Sequence, residues 1–198
     1  MKKLSKIKKN RGMTYVELIV VLSIFAIVSS VVIFNYGNFQ SRIDIRNLAS
    51  DIALQVVAAQ KASISGLLPV QVPTVSPWKP AYGVYFDLTS NKTFTYFADL
   101  NNSNFYSGTN CTGECLNYVT ITKGNYISRI DSYVGAVAAS ITKPIAVTFK
   151  RPNSNAVFSY SDGAFITGFD YLQITISSSN GSATALIKIY PSGRVQVN

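Results

Sequence analysis

The chain has 198 residues, 47% hydrophobic and 14% charged, with a formal net charge of +9: enough for one ordinary domain plus an appendage, and too apolar for a disordered chain. It contains no histidine, which removes Ser-His-Asp triads, Cys-His dyads and His-ligated metal sites and leaves most hydrolase and metalloenzyme chemistries without their parts. The charge is local. Lys2, Lys3, Lys6, Lys8, Lys9 and Arg11 precede the first acid, and without them 12 basic groups face 9 acidic ones. The basicity is therefore a flank rather than a general surface property.

After this flank comes an apolar run of 22 residues, Met13 to Phe34, interrupted by Thr14, Glu17, Ser23, Ser29 and Ser30. As a helix it would span roughly 33 Å, close to the thickness of a bilayer core. Cationic groups directly before it place the N-terminus in the cytoplasm and the C-terminal part of the chain outside. The run is too long for a signal-peptide h-region, and "IFNYGNFQ" is a poor cleavage site. A buried core helix does not suit 22 apolar residues behind such a flank. A plain single-pass anchor fits the length but leaves Glu17 unexplained, since a carboxylate inside a membrane costs about 2.5–3.5 kcal/mol.

The stretch "RGMTYVELIVVLSIFAIV" resembles the N-terminal motif of type IV prepilins and type II secretion pseudopilins: a short basic leader, a glycine, a hydrophobic residue, a glutamate four places later and an apolar helix. The likeness covers residues 8–34; phenylalanine is the family's commonest residue where Met13 stands. It implies that a prepilin peptidase cuts between Gly12 and Met13 and methylates the new amine of Met13. It also implies an assembly role for Glu17, whose carboxylate would compensate the Met13 ammonium of an adjacent subunit. Such a pair sets register, because an unmatched charge in an apolar medium is costly. The bland alternative for Glu17 is a polar residue tolerated near the interface.

Farther on, Asn35 and Gly37 weaken helix and predict a kink or softened stretch. Ile45, Leu48, Ile52, Val56 and Ala59 then recur at helical spacing, with charges largely on other faces, and predict an amphipathic helix that stops at Gly66. Unbroken from Met13, that helix would measure roughly 80 Å. The connector "LLPVQVPTVSPWKPAYG" holds four prolines and reads as extended, with Trp78 as a packing residue. Strand signals come next. "YGVYFDL" and "KTFTYFADL" form one hairpin, "NYVTIT" and "NYISRID" a second pair, and "PIAVTFKR" and "NAVFSYS" a third. The closing segments "YLQITISS", "SATALIKIY" and "RVQVN" are separated by turns at Asn180-Gly181 and Ser192-Gly193.

The predicted architecture is α+β: a leader (1–12), a transmembrane and assembly helix (13–34), its amphipathic continuation (35–66) and a β-rich head (67–198) of roughly seven to nine strands. This outline is similar to GspH/FimT-type minor pseudopilins, through the "YGVYFD" strand after the helix and the closing "IKIYPSGRVQV".

Cys111 and Cys115 in "NCTGEC" are the only cysteines. Outside the cytoplasm they read as a disulfide, with free thiols as the alternative; a metal half-site lacks partner ligands. Asp99, Asn101 and Ser103 alternate like the opening of a calcium loop. Asn104 and Asn110, however, stand where its glycine and final acid belong, and a polar turn explains the pattern as well. Lys150, Arg151 and Arg194 are candidate nucleic-acid contacts, because some FimT-type pilins bind DNA through basic residues near the C-terminus; scattered cations are more often a solvated face.

The reading that results is a structural subunit, not an enzyme, without metal or cofactor. Its expected partners are other pilin or pseudopilin subunits, a prepilin peptidase, the inner-membrane assembly platform and, before assembly, membrane lipid. It would sit in the inner or cytoplasmic membrane with its head outside, and then in a periplasmic or extracellular fibre. The alternative is a membrane-anchored or pilus-tip binding module, for instance one that captures DNA.

Overall fold

The computed structural model describes residues 12–69, 79–108 and 111–198. The basic leader, Trp78 and most of the proline connector lie outside the described residues, as does Asn110. The chain divides into two units, Met1–Gln40 and Ser41–Asn198.

One helix, α1, is assigned from Tyr15 to Ser65 and supplies residues to both units. Asn35 and Gly37 are helical, so the weak helix formers there do not end the element. Within the first unit the described apolar side chains of α1 are exposed. Polar atoms in this stretch are bonded locally: the Ser23 hydroxyl donates to the Ile19 carbonyl at 2.8 Å, the back-bond that lets serine sit inside an apolar helix.

In the second unit α1 buries Ile45, Ala49, Ile52, Val56, Ala59 and Ala62, one stripe at three- and four-residue spacing. Its end has a clear cause. Gly66 takes φ 65, its N–H donates to the Ser63 carbonyl, and the Leu67 N–H donates to the Ala62 carbonyl. This pair of bonds is a Schellman stop, which needs a left-handed residue where glycine stands.

Ten strands are present among the described residues: β1 Ala81–Phe86, β2 Thr93–Asp99, β3 Cys115–Thr120, β4 Tyr126–Val134, β5 Val137–Ser140, β6 Ile145–Phe149, β7 Ala156–Tyr160, β8 Tyr171–Ser177, β9 Thr184–Ile189 and β10 Val195–Val197. They form two five-stranded sheets, ordered β3-β2-β1-β6-β7 and β10-β9-β8-β4-β5, with antiparallel neighbours throughout. The buried helix stripe shares one core with inward residues of both sheets, among them Tyr82, Val84 and Phe86 of β1, Ile127 and Ile130 of β4, and Leu172, Ile174 and Ile176 of β8. The architecture is α+β.

The hairpins β1–β2 and β6–β7 and the closing run β8–β9–β10 pair as their sequences suggest. The pairing of "NYVTIT" with "NYISRID" is corrected. β3 lies at the edge of the first sheet against β2, while β4 lies in the second between β8 and β5. Lys123 and Gly124 both take positive φ and carry the chain from one sheet to the other. On either side of this crossing the Ile121 and Ile127 N–H groups donate to the Lys92 and Asn91 carbonyls. Alternating hydrophobicity fixes which face a strand buries, not which strand it joins. β5 has no sequence signal, because its four residues are all exposed and carry no burial pattern.

Replacing Ile52, fully buried on α1, with alanine is expected to cost about 2–5 kcal/mol of head stability, read as a lower urea midpoint at unchanged slope. Alkali should also weaken the fold. Burial, and secondarily Tyr96, push the Tyr82 phenol up from its ordinary 10 to about 12. Burial, then Asp87 and Tyr106, do the same to Tyr85. A phenol that holds its proton more tightly when folded contributes stability that is intact below pH 10 and lost as pH rises toward 12. Melting temperatures are expected to fall across that window, as late-titrating tyrosines appear by absorbance; burial also pushes the Tyr96 and Tyr106 phenols up.

Candidate functional site

Gly12, Met13 and Glu17 stand at the N-terminus of α1, where the structure adds Thr14. The Thr14 carbonyl accepts the first helical hydrogen bond, from the Leu18 N–H at 3.1 Å. The Thr14 hydroxyl accepts from the Glu17 N–H at 3.3 Å, and the Glu17 carboxylate accepts from the Thr14 N–H at 3.4 Å. The Thr14 hydroxyl also lies 3.5 Å from that carboxylate. This reciprocal arrangement is a capping box, with Thr14 as N-cap and Glu17 three residues on. It satisfies two of the backbone donors that a helix start leaves open and puts a negative charge where the helix dipole favours one.

Met13 is 64% exposed. Among the described residues nothing lies within 4 Å of where a side chain at Gly12 would begin. The fold around position 12 therefore does not require glycine.

A family model, the prokaryotic N-terminal methylation motif, matches residues 7–33. The chain carries the type IV prepilin signature. The match takes in Gly12, Met13, Thr14, Glu17 and the apolar part of α1 and ends there; comparison with curated proteins and with solved structures finds no match. The signature belongs to pilin-like and pseudopilin subunits, which are structural rather than catalytic. Among the described residues α1 is the one helix long and apolar enough to cross a membrane, and it is compatible with a membrane anchor.

The other predicted residues lie in the head. Cys111 and Cys115 are joined by a disulfide, with their Cα atoms 4.8 Å apart. Lys150 donates to the Asn102 side chain at 2.6 Å. The Arg151 guanidinium lies against Gly66, where it meets the carbonyl end of α1. Arg194 sits 3.8 Å above the Tyr190 ring. Each of these three cations is engaged by a different neighbour.

The calcium-like stretch resolves into a turn. Both oxygens of buried Asp99 accept backbone N–H groups, from Ser103 and Asn104, each at 2.9 Å. Buried Glu114 takes the N–H groups of Leu100 and Asn101 on one oxygen and Ser107 on the other. Two carboxylates thus organise the loop between β2 and β3, each charge held by several donors. No group of three or more metal-ligating side chains occurs among the described residues.

Thr14 is the residue at this site that the sequence pattern did not single out. Its signal was present, since a threonine with glutamate three places later, ahead of an apolar run, is a capping-box signature. Thr14→Ala is expected to fray the first turn, at a cost of about 1 kcal/mol, and to speed amide exchange at Tyr15, Val16 and Glu17 without changing exchange in the head.

Proposed function

We propose that this chain is a structural subunit of a type IV pilus or type II secretion pseudopilus, processed after Gly12, methylated at Met13 and assembled through α1. The observation that carries this reading is the methylation motif in register with an exposed apolar helix. The motif supplies the cut and the new amine, and the helix supplies a surface that needs either lipid or other copies of itself. Side chains such as Leu22, Phe25, Ile27 and Ile33 are more than half exposed. Burying each fully is worth about 1.5–3 kcal/mol. Lipid meets this need before assembly, and neighbouring helices meet it in the fibre.

In this scheme the basic leader holds the precursor with its N-terminus inside. A prepilin peptidase then removes it, and the inner-membrane platform passes the mature subunit to the fibre. Glu17 serves twice. In the free subunit it caps its own helix; on docking its carboxylate compensates the Met13 ammonium of a neighbour. The carboxylate's own capping contacts are long, at 3.4 and 3.5 Å, so little is lost when it exchanges them for a full positive charge. A GspH/FimT-like minor role is the finer form of this proposal, supported by the β-rich head behind the helix.

The test is intact-mass and N-terminal analysis after co-expression with an active prepilin peptidase. A chain beginning at N-methylated Met13 is expected. A chain that retains residues 1–12 beside a peptidase that processes a control prepilin would overturn the proposal.

A further inference from the structure

The head contains a cavity of about 190 Å³ on the outer face of the first sheet, and strand register explains why it is there. Tyr118 of β3 pairs with Thr95 of β2, Thr95 with Tyr85 of β1, and Tyr85 with Ala146 of β6. Neighbouring strands lie about 4.8 Å apart. The strands that carry the two tyrosines thus lie about 9.5 Å apart, with the smaller Thr95 between them on the same face. A ring held in van der Waals contact on both sides needs about 7–8 Å between its flanking groups, which two strand spacings and a cavity of this volume can accommodate.

The remaining walls are polar. Asp87 lies two residues beyond Tyr85, on the same face of the chain, and Ser90 and Thr93 complete that side. Asp87 Oδ1 accepts from the Thr89 N–H and hydroxyl at 2.8 and 2.7 Å; hydrogen bonding leaves Oδ2 open. Tyr106 closes one end, packed on Tyr85 at 5.2 Å and on Phe97 at 5.5 Å. It is more than nine-tenths buried, and its hydroxyl lies beside the Cys111 backbone.

We propose that this slot binds a neutral hexose-sized sugar, such as the terminal residue of a glycan. Tyrosine faces suit the C–H faces of a pyranose, while a carboxylate oxygen and several hydroxyls suit its hydroxyl groups. Among the described residues no lysine or arginine lines the cavity, which disfavours phosphates and acidic sugars. A nucleobase would use the ring slot but would leave most of the hydroxyl partners idle.

The experiment is saturation-transfer NMR on the full chain in micelles of a sugar-free detergent such as lauryldimethylamine oxide. The probes are the methyl glycosides of glucose, galactose and mannose, with glucuronate and adenosine alongside. At least one neutral glycoside is expected to receive saturation, with a dissociation constant on the order of 1 mM. Tyr118→Ala removes a rim ring that is 45% exposed, so the fold should persist, confirmed by an unchanged melting temperature. It should weaken binding roughly tenfold, and Asp87→Asn should weaken it as well. Saturation of no neutral glycoside overturns the proposal. So does transfer that is unchanged by Tyr118→Ala, or a preference for glucuronate or adenosine.

Discussion

An apolar helical surface from Tyr15 to Ile33 that stays exposed on the isolated chain is the constraint on which the proposed biology depends. Water is the wrong solvent for it, and a bilayer or a bundle of like helices is the right one. The helix form itself is imposed, because in lipid every backbone N–H and C=O needs a partner within its own segment. What remains to be solved is the N-terminus, where four N–H groups lack helical partners. Thr14 and Glu17 solve part of it by bonding to one another's backbone. A carboxylate in an apolar segment thus has a local reason to exist before any partner arrives.

The head faces the opposite problem. Residues 41–65 of α1 are also helical, yet their stripe from Ile45 to Ala62 is almost wholly buried against the two sheets. Alanines at 49, 59 and 62 belong to that buried stripe, and Gly66 ends it. The same element therefore serves two solvents, and composition marks the change. Charges at Arg42, Asp44, Arg46 and Asp51 appear only after the apolar run. One of them, Asp44, pairs with Lys123 in the turn that carries the chain between sheets.

Much of this was legible in the sequence, for identifiable reasons. The helical spacing of Ile45, Ile52, Val56 and Ala59 gives the buried face, and Gly66 gives the stop. Short connections between alternating strands give the β1–β2 and β6–β7 hairpins and the closing β8–β9–β10 run. Proximity misled at β3 and β4, where positive φ at Lys123 and Gly124 sends two neighbouring strands into different sheets. β5 left no trace because an exposed edge strand has no burial pattern to leave. The loop beyond β2 was illegible for a chemical reason. Acids in a polar loop normally read as solvated, whereas Asp99 and Glu114 are buried and hold five backbone N–H groups between them. At the N-terminus Glu17 was legible as a charge that needs a partner, and the family signature at residues 7–33 covers it. Its bond to Thr14 was written in the spacing but lay behind the more conspicuous charge.

The account turns on Glu17 exchanging its own helix cap for a neighbour's amine, and the most direct measurement is fibre incorporation of Glu17→Ala in cells that process the wild-type chain. Membrane and sheared-fibre fractions would each be probed for the mature form. The account predicts that the variant is cut after Gly12, accumulates in the membrane with a folded head and is missing from the fibre fraction. Incorporation at the wild-type level would contradict it, and would reduce Glu17 to a helix cap alone.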